Sequence, residues 1–178
     1  AVLRAIAIRS APGTTVDDVR AAFDAGELVR SWPMRGTLFA TTPAHLAALL
    51  ELTGERTRRS TVLRRSQLGI PDSMIDLARS TLLAAVADGG LRRSDALAAL
   101  EAAGIATGGG VGYHLLMHLS VEGVVHWGPF APGAAEQLLV PSPRVEPSSS
   151  LAELLRGVVL ARGPITDADL AWWTKLPK

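Results

Sequence analysis

The chain has 178 residues, a formal net charge of +1, 48% hydrophobic residues and no cysteine. That length can bury a sizeable core in one domain or two small ones. The lack of cysteine excludes disulfides, thiolate metal sites and a cysteine nucleophile, and no apolar run is long enough to span a bilayer as a helix. The early apolar stretch "AVLRAIAI" has no cleavage-site pattern and continues into helix-like sequence, so no signal peptide is read and a cytoplasmic location is expected. Of 18 Lys and Arg, only Lys175 and Lys178 are lysine, and asparagine is absent. A GC-rich coding sequence produces that bias, so the clustering of the arginines says more than their number.

In chain order, "VLRAIAIRS" reads as the end of an amphipathic helix stopped by Pro12 and Gly13. Thr15 and Asp18 form a capping arrangement for the helix "VDDVRAAFDAG", in which Val16, Val19 and Phe23 fall at helical spacing. "ELVRSWPMRGTLFATT" then gives two short extended runs around Pro33 to Gly36, a hairpin over about 28–42. Pro43 opens the helix "PAHLAALLEL". A basic stretch, "ERTRRSTVLRR", carries Arg56, Arg58, Arg59, Arg64 and Arg65 against one acid, Glu55. Such a run reads as a solvated face or linker, or as a nucleic-acid contact. Three helices follow, "SMIDLARSTLLAAVADG", "RRSDALAALEAAG" and "GVGYHLLMHLSVEG", then a second hairpin, about 123–141, from "VVHWGPF" and "EQLLV". A Pro/Ser linker at 142–150 leads to two last helices, "SLAELLRGVVLARG" and "TDADLAWWTKL".

The segments "PGTTVDDVRAA", "GGLRRSDALAA" and "GPITDADLAWW" share an outline, and their aspartates Asp18, Asp95 and Asp169 are spaced about 75 residues apart. That is the size of a small domain. The expectation is that the chain begins and ends inside repeated units. Three helices followed by a hairpin is the winged-helix arrangement. The fold class expected is mainly α with small β-hairpins, as tandem winged-helix (helix-turn-helix) domains. The divisions are a partial first winged helix with a basic connecting segment at 1–65, a complete second one at 66–141, the linker, and the start of a third at 151–178. The expected core of the second unit is Leu77, Leu82, Leu97, Leu100, Leu115 and Leu119, with Val124 or Val125 from its hairpin.

Two strings carry a family resemblance. Trp32, Arg35, Gly36, Thr37 and Leu38 make a Trp-x-x-Arg-Gly-Thr-Leu string, and Asp169, Trp172, Trp173 and Leu176 make Asp-x-x-Trp-Trp-x-x-Leu. With "EGVVHWGPF" between them, the chain resembles the AlkZ-like winged-helix DNA glycosylases over most of its length. The resemblance implies tandem winged helices that excise bulky N7-alkylguanine adducts or interstrand crosslinks, with double-stranded DNA, alkylated or crosslinked, as partner. It also implies a catalytic Gln-x-Gln or Gln-x-Asp motif shortly before the point where this chain begins. Gln67 and Gln137 are the only glutamines and neither sits in such a motif, so no catalytic residue is assigned in this chain. Phe39 stands where the family usually has His. The alternative reading is a non-catalytic DNA-binding or regulatory protein on the same scaffold, and a third is winged helices used for protein–protein contact.

His114, His118 and Glu122 share one helical face, but "HLLMH" lacks the Glu of a zincin, so the stripe is read as a polar face toward DNA or solvent and no metal is expected. "GGGVG" at 108–112 has no strand before it and is read as a flexible turn, with no cofactor expected. The hairpins carry Arg30, Arg35 and His126, placed where wings reach a groove. Trp32 and Trp127 are read first as packing residues. Trp172 and Trp173, adjacent in a helix, point about 100° apart, so one is read as core. The candidate DNA-binding set is therefore Arg30, Arg35, Arg58, Arg59, Arg64, Arg65, His114, His118 and His126. A monomer is expected.

Overall fold

The computed structural model describes residues 2–146 and 151–174. Among these, the chain runs α1 (Val2–Ala7), α2 (Val16–Asp24), β1 (Val29–Met34), β2 (Thr37–Thr41), α3 (Pro43–Ser60), α4 (Val62–Gln67), α5 (Asp72–Ala85), α6 (Arg93–Ala102), a 3-10 turn at Gly108–Gly110, α7 (Val111–Val121), β3 (Val125–Phe130), β4 (Gln137–Pro141), α8 (Leu151–Arg162) and α9 (Asp167–Thr174). Of the expected Pro/Ser linker, 142–146 lack regular structure; residues 147–150, and Lys175, Leu176 and Lys178, lie outside the described residues.

Helix starts follow side-chain acceptors. At α2, Thr15 and Asp18 form a reciprocal capping box, the Asp18 backbone N–H donating to Thr15 Oγ1 and the Thr15 N–H to Asp18 Oδ2 at 2.8 Å. Thr166 and Asp169 repeat it at α9, with the Thr166 N–H donating at 3.0 Å. Backbone hydrogen bonds from these threonines, then their hydroxyls, hold both carboxyl pKa values below the usual range. The third aspartate of the repeat does not do this. At α6 the Arg93 N–H reaches Glu136 Oε1 instead, 3.3 Å away, so a residue just before β4 takes over the cap.

Both expected hairpins are present, and they are not separate. β1 pairs antiparallel with β3 at Arg30–Trp127, giving one four-stranded antiparallel sheet in the order β2-β1-β3-β4. The physical reason is the open edge. A two-stranded ribbon leaves unpaired backbone groups on both sides, and pairing two ribbons satisfies one edge of each. Leu91 and Leu139 add a two-bond bridge at 2.7 and 2.9 Å. Side chains fasten the join: Ser31 Oγ donates to Ser120 O at 3.3 Å, Phe130 N–H to Asp24 Oδ1 at 2.7 Å, and Arg20 to Ala134 O at 2.9 Å. The mainly helical expectation holds, and the two hairpins join in one small sheet.

The main core is built around α5, α6, α7 and the sheet, with Leu82, Leu100, Leu115, Leu119, Val125 and Leu139 fully buried. Leu97 and Val124 pack against it partly buried. Leu77 does not: it is 43% exposed, because the buried line of α5 runs through Ile75, Ala78 and Leu82. A second cluster joins Val19 and Phe23 of α2 to Phe130 of β3, the two rings edge-on at 5.8 Å. Val16, expected on that face, is exposed at the first helical position. The basic stretch is helix rather than linker: α3 extends to Ser60, and α4 carries Arg64 and Arg65.

Candidate nucleic-acid interface

α7 is the central element of the fold rather than an exposed one. It packs on β1, α3, α5 and β3, and every residue from His114 to Val121 is buried. The expected stripe exists, but it faces inward, so His114 and His118 do not offer a solvent-facing polar surface. Their rings stack with centroids 6.3 Å apart. His118 Nε2 lies 3.3 Å from Glu122 Oε1, and Arg79 Nη2 donates to Glu122 Oε2 at 2.7 Å. The His118 hydrogen bond, with Arg79 beside it, holds the Glu122 carboxyl at a pKa of about 2. Burial first, then the neighbouring His118, Arg65 and Arg64, depresses His114. No group of three ligating side chains stands together among the described residues.

The basic stretch divides by partner. Arg59 pairs with Glu55 one helical turn away. Arg65 is fastened into the fold, donating from Nε to Ile70 O at 2.8 Å and pairing with Asp72. Arg64 reaches only Gln67, at 3.4 Å, and Arg56 is fully on the surface. Arg58, half-exposed, lines an open groove of about 510 Å³ between α3–α4 and α5–α7, whose floor holds His118 and Glu122. The groove mixes arginines with Glu55, Asp72, Asp76 and Glu122, so its field is not uniformly positive. The freer cations are Arg56, Arg58 and Arg64.

The two hairpin arginines point to different places. Arg35 sits at the β1–β2 turn with φ of 59°, a left-handed conformation unusual for a residue with a Cβ. Its guanidinium lies over the ring of Trp172, 5.3 Å from the centroid. Arg30 turns inward onto the sheet, its Nη1 donating to Gln137 Oε1 at 2.8 Å. His126 is buried beside Val29, Leu46 and Leu50, with only Ser142 Oγ near its Nδ1 at 3.3 Å, and burial pushes it down to about 4. Like the α7 histidines, it lies inside the fold and not on a wing surface.

Trp32 and Trp127 are core residues. Trp172 is 64% exposed, while Trp173 meets Phe39 edge-on at 6.3 Å. Phe39 thus serves as an apolar dock for α9. The sequence did not single out Tyr113 or Arg93, which join Arg30, Trp32, Trp127 and Gln137 around a cavity of about 150 Å³ on the sheet. Only the union of the two hairpins assembles that set, and no local pattern encodes a pairing of residues 30 and 127.

The family model described as "DNA glycosylase AlkZ-like" matches residues 4–178. A search of curated proteins found no match. Among solved structures, the chain is similar to the Streptomyces sahachiroi DNA glycosylase AlkZ, with a TM-score of 0.60 and 18% identity. The likeness covers 94% of this chain and 52% of that one, so the chain spans about half the length of the relative it matches. At that identity the likeness speaks for the fold.

Proposed function

We propose, from the premise that this chain belongs to the AlkZ-like DNA glycosylase family, that it is the DNA-engaging part of a repair glycosylase acting on N7-alkylated guanine or interstrand crosslinks. The family match over nearly the whole chain carries the reading. We read α1–α2–β1–β2, α5–α6–α7–β3–β4 and α8–α9 as successive winged-helix units of a cytoplasmic monomer. The surface that supports DNA contact is Arg56, Arg58 and Arg64 on α3–α4 together with Arg35 at the hairpin turn, all reaching solvent. Arg59 is exposed but paired, and Arg65 mainly holds α4 to α5.

The chemistry needs little from these residues. An N7-alkylated guanine carries positive charge and departs without being protonated. A positioned water and electrostatic stabilisation of the oxocarbenium-like sugar complete the hydrolysis. Neither glutamine here fits a water-positioning pair: Gln67 is an exposed helical residue, and Gln137 is buried and bonded to Arg30 and Gly128 O. The 178-residue chain is therefore expected to bind duplex DNA but to release no N7-methylguanine. The test is release of radiolabelled N7-methylguanine, run beside a salt titration of DNA binding. Measured release would move catalysis into this chain, and salt-insensitive or absent binding would sink the DNA-contact reading in favour of protein–protein contact.

A further inference from the structure

The cavity on the sheet is assembled from distant parts of the chain. Arg30 and Trp32 come from β1, Trp127 from β3, Gln137 from β4 and Tyr113 from α7. Trp32 and Tyr113 meet edge-on with centroids 5.8 Å apart. At about 150 Å³ it matches one aromatic ring system rather than a run of polynucleotide. Rings on several walls and one directional polar group are the usual composition of a small-molecule site.

The polar group is Arg30. Among the described residues its guanidinium has no carboxylate partner, and its one hydrogen bond goes to a neutral amide, Gln137 Oε1 at 2.8 Å. That amide is itself fixed, because Gln137 Nε2 donates to Gly128 O at 2.8 Å. A guanidinium carries five N–H donors in a rigid fork, so most remain for an acceptor entering the cavity. Burial lowers its pKa below the ordinary value, the signature of a cation that has lost water without gaining an anion. Arg93, exposed at the start of α6, stands on the rim; its backbone N–H reaches Glu136, but its guanidinium has no acidic partner among the described residues.

We propose that this cavity binds a single unpaired nucleotide, its base between the aromatic walls with a carbonyl edge accepting from Arg30 and its phosphate at Arg93. Base–aromatic stacking supplies the apolar part of such a site. The same chemistry is offered by a free nucleotide and by a nucleotide displaced from a strand. Only the second source rests on the DNA reading above.

The test titrates guanosine 5′-monophosphate, guanosine and inorganic phosphate into the 178-residue chain, following tryptophan fluorescence. Saturable binding of the nucleotide is expected, with at least tenfold loss in Arg30→Met. Arg93→Ala should weaken the nucleotide several-fold and leave guanosine unchanged. If Arg30→Met loses its cooperative thermal transition, Leu38→Trp at the exposed mouth serves instead, and should block the nucleotide while keeping the fold. Phosphate competing as tightly as the nucleotide would overturn the proposal, as would nucleotide binding that neither variant alters. In the DNA arm, a duplex with a single-nucleotide bulge should lose affinity in Arg30→Met while a fully paired duplex does not. Equal losses would make Arg30 a backbone contact and end the proposal. Nucleotide binding without any duplex binding would keep the cavity and discard the DNA reading.

Discussion

α7 and the α3–α4 pair reverse the roles their compositions suggest. α7 holds two histidines and a serine, yet it is buried continuously from His114 to Val121. α3–α4 carry leucines and a valine, yet Leu52, Val62 and Leu63 are exposed, Leu63 at 72%. What decides exposure is the number of elements packed around a helix, not the polarity of its residues. α7 is enclosed by β1, α3, α5 and β3, whereas α4 buries no residue. Of the polar side chains inside α7, only His118 gains a partner, its Nε2 meeting the Glu122 carboxylate that also takes Arg79, while His114 Nε2 and Ser120 Oγ are buried without a hydrogen-bond partner among the described residues.

Truncation should separate the two regions most sharply. Leu119→Ala in α7 removes a fully buried side chain and is expected to cost about 2–5 kcal/mol. Leu63→Ala in α4 should stay within about 0.5 kcal/mol. Urea denaturation measures both, and a large loss at Leu63 would mean α4 has a partner surface.

Acid should reach the interior next. His126 is held at about 4 against an ordinary value of 6.5. The unfolded chain therefore binds a proton that the folded chain refuses. Stability present above pH 6.5 is lost as pH falls toward 4, by about 3 kcal/mol. His114, depressed by burial, adds loss of the same sign. Glu122, depressed to about 2 from 4.5, adds another as pH falls from 4.5 to 2. A His126→Leu variant should flatten the first part of the curve; an unchanged profile would place the loss elsewhere.

The exposed region is sharpened by salt. Ala substitution of Arg56, Arg58 and Arg64 together should lower the slope of log K against log salt by about 0.9 for each true phosphate contact, with the thermal midpoint barely moved. Arg65→Ala should behave differently, lowering stability because it frees Ile70 O and Asp72. Smallest is Arg35→Gly. Relief of the left-handed φ should raise stability by about 0.5–1 kcal/mol while weakening duplex binding. A loss of stability there would show that the contact with Trp172 outweighs the strain.

Local chemistry was legible in the sequence. The Thr15–Asp18 box, both hairpins, Pro43 as a helix start and the packing roles of Trp32 and Trp127 all follow from residue type and spacing. Phase and assembly were less so. Leucines at 77, 82 and 83 fit more than one helical face, and only the packed structure selects Ile75, Ala78 and Leu82 over Leu77. The polarity of His114, His118 and His126 suggests exposure, yet all three are buried. Arg30, Trp127 and Gln137 could not be grouped, since their meeting depends on two hairpins choosing each other as neighbours.

That choice also sets the order in which the chain can fold. Arg30 and Gln137 meet across 107 residues of sequence, while α5, α6, α7 and the β3–β4 hairpin close over short loops. Closing so long a loop costs entropy that local contacts do not repay. Joining β1 to β3 is therefore expected as the slow, late event, after the middle helices have collapsed. The aromatic cavity does not exist until that event is complete, so anything it binds favours the finished chain over its precursors by mass action.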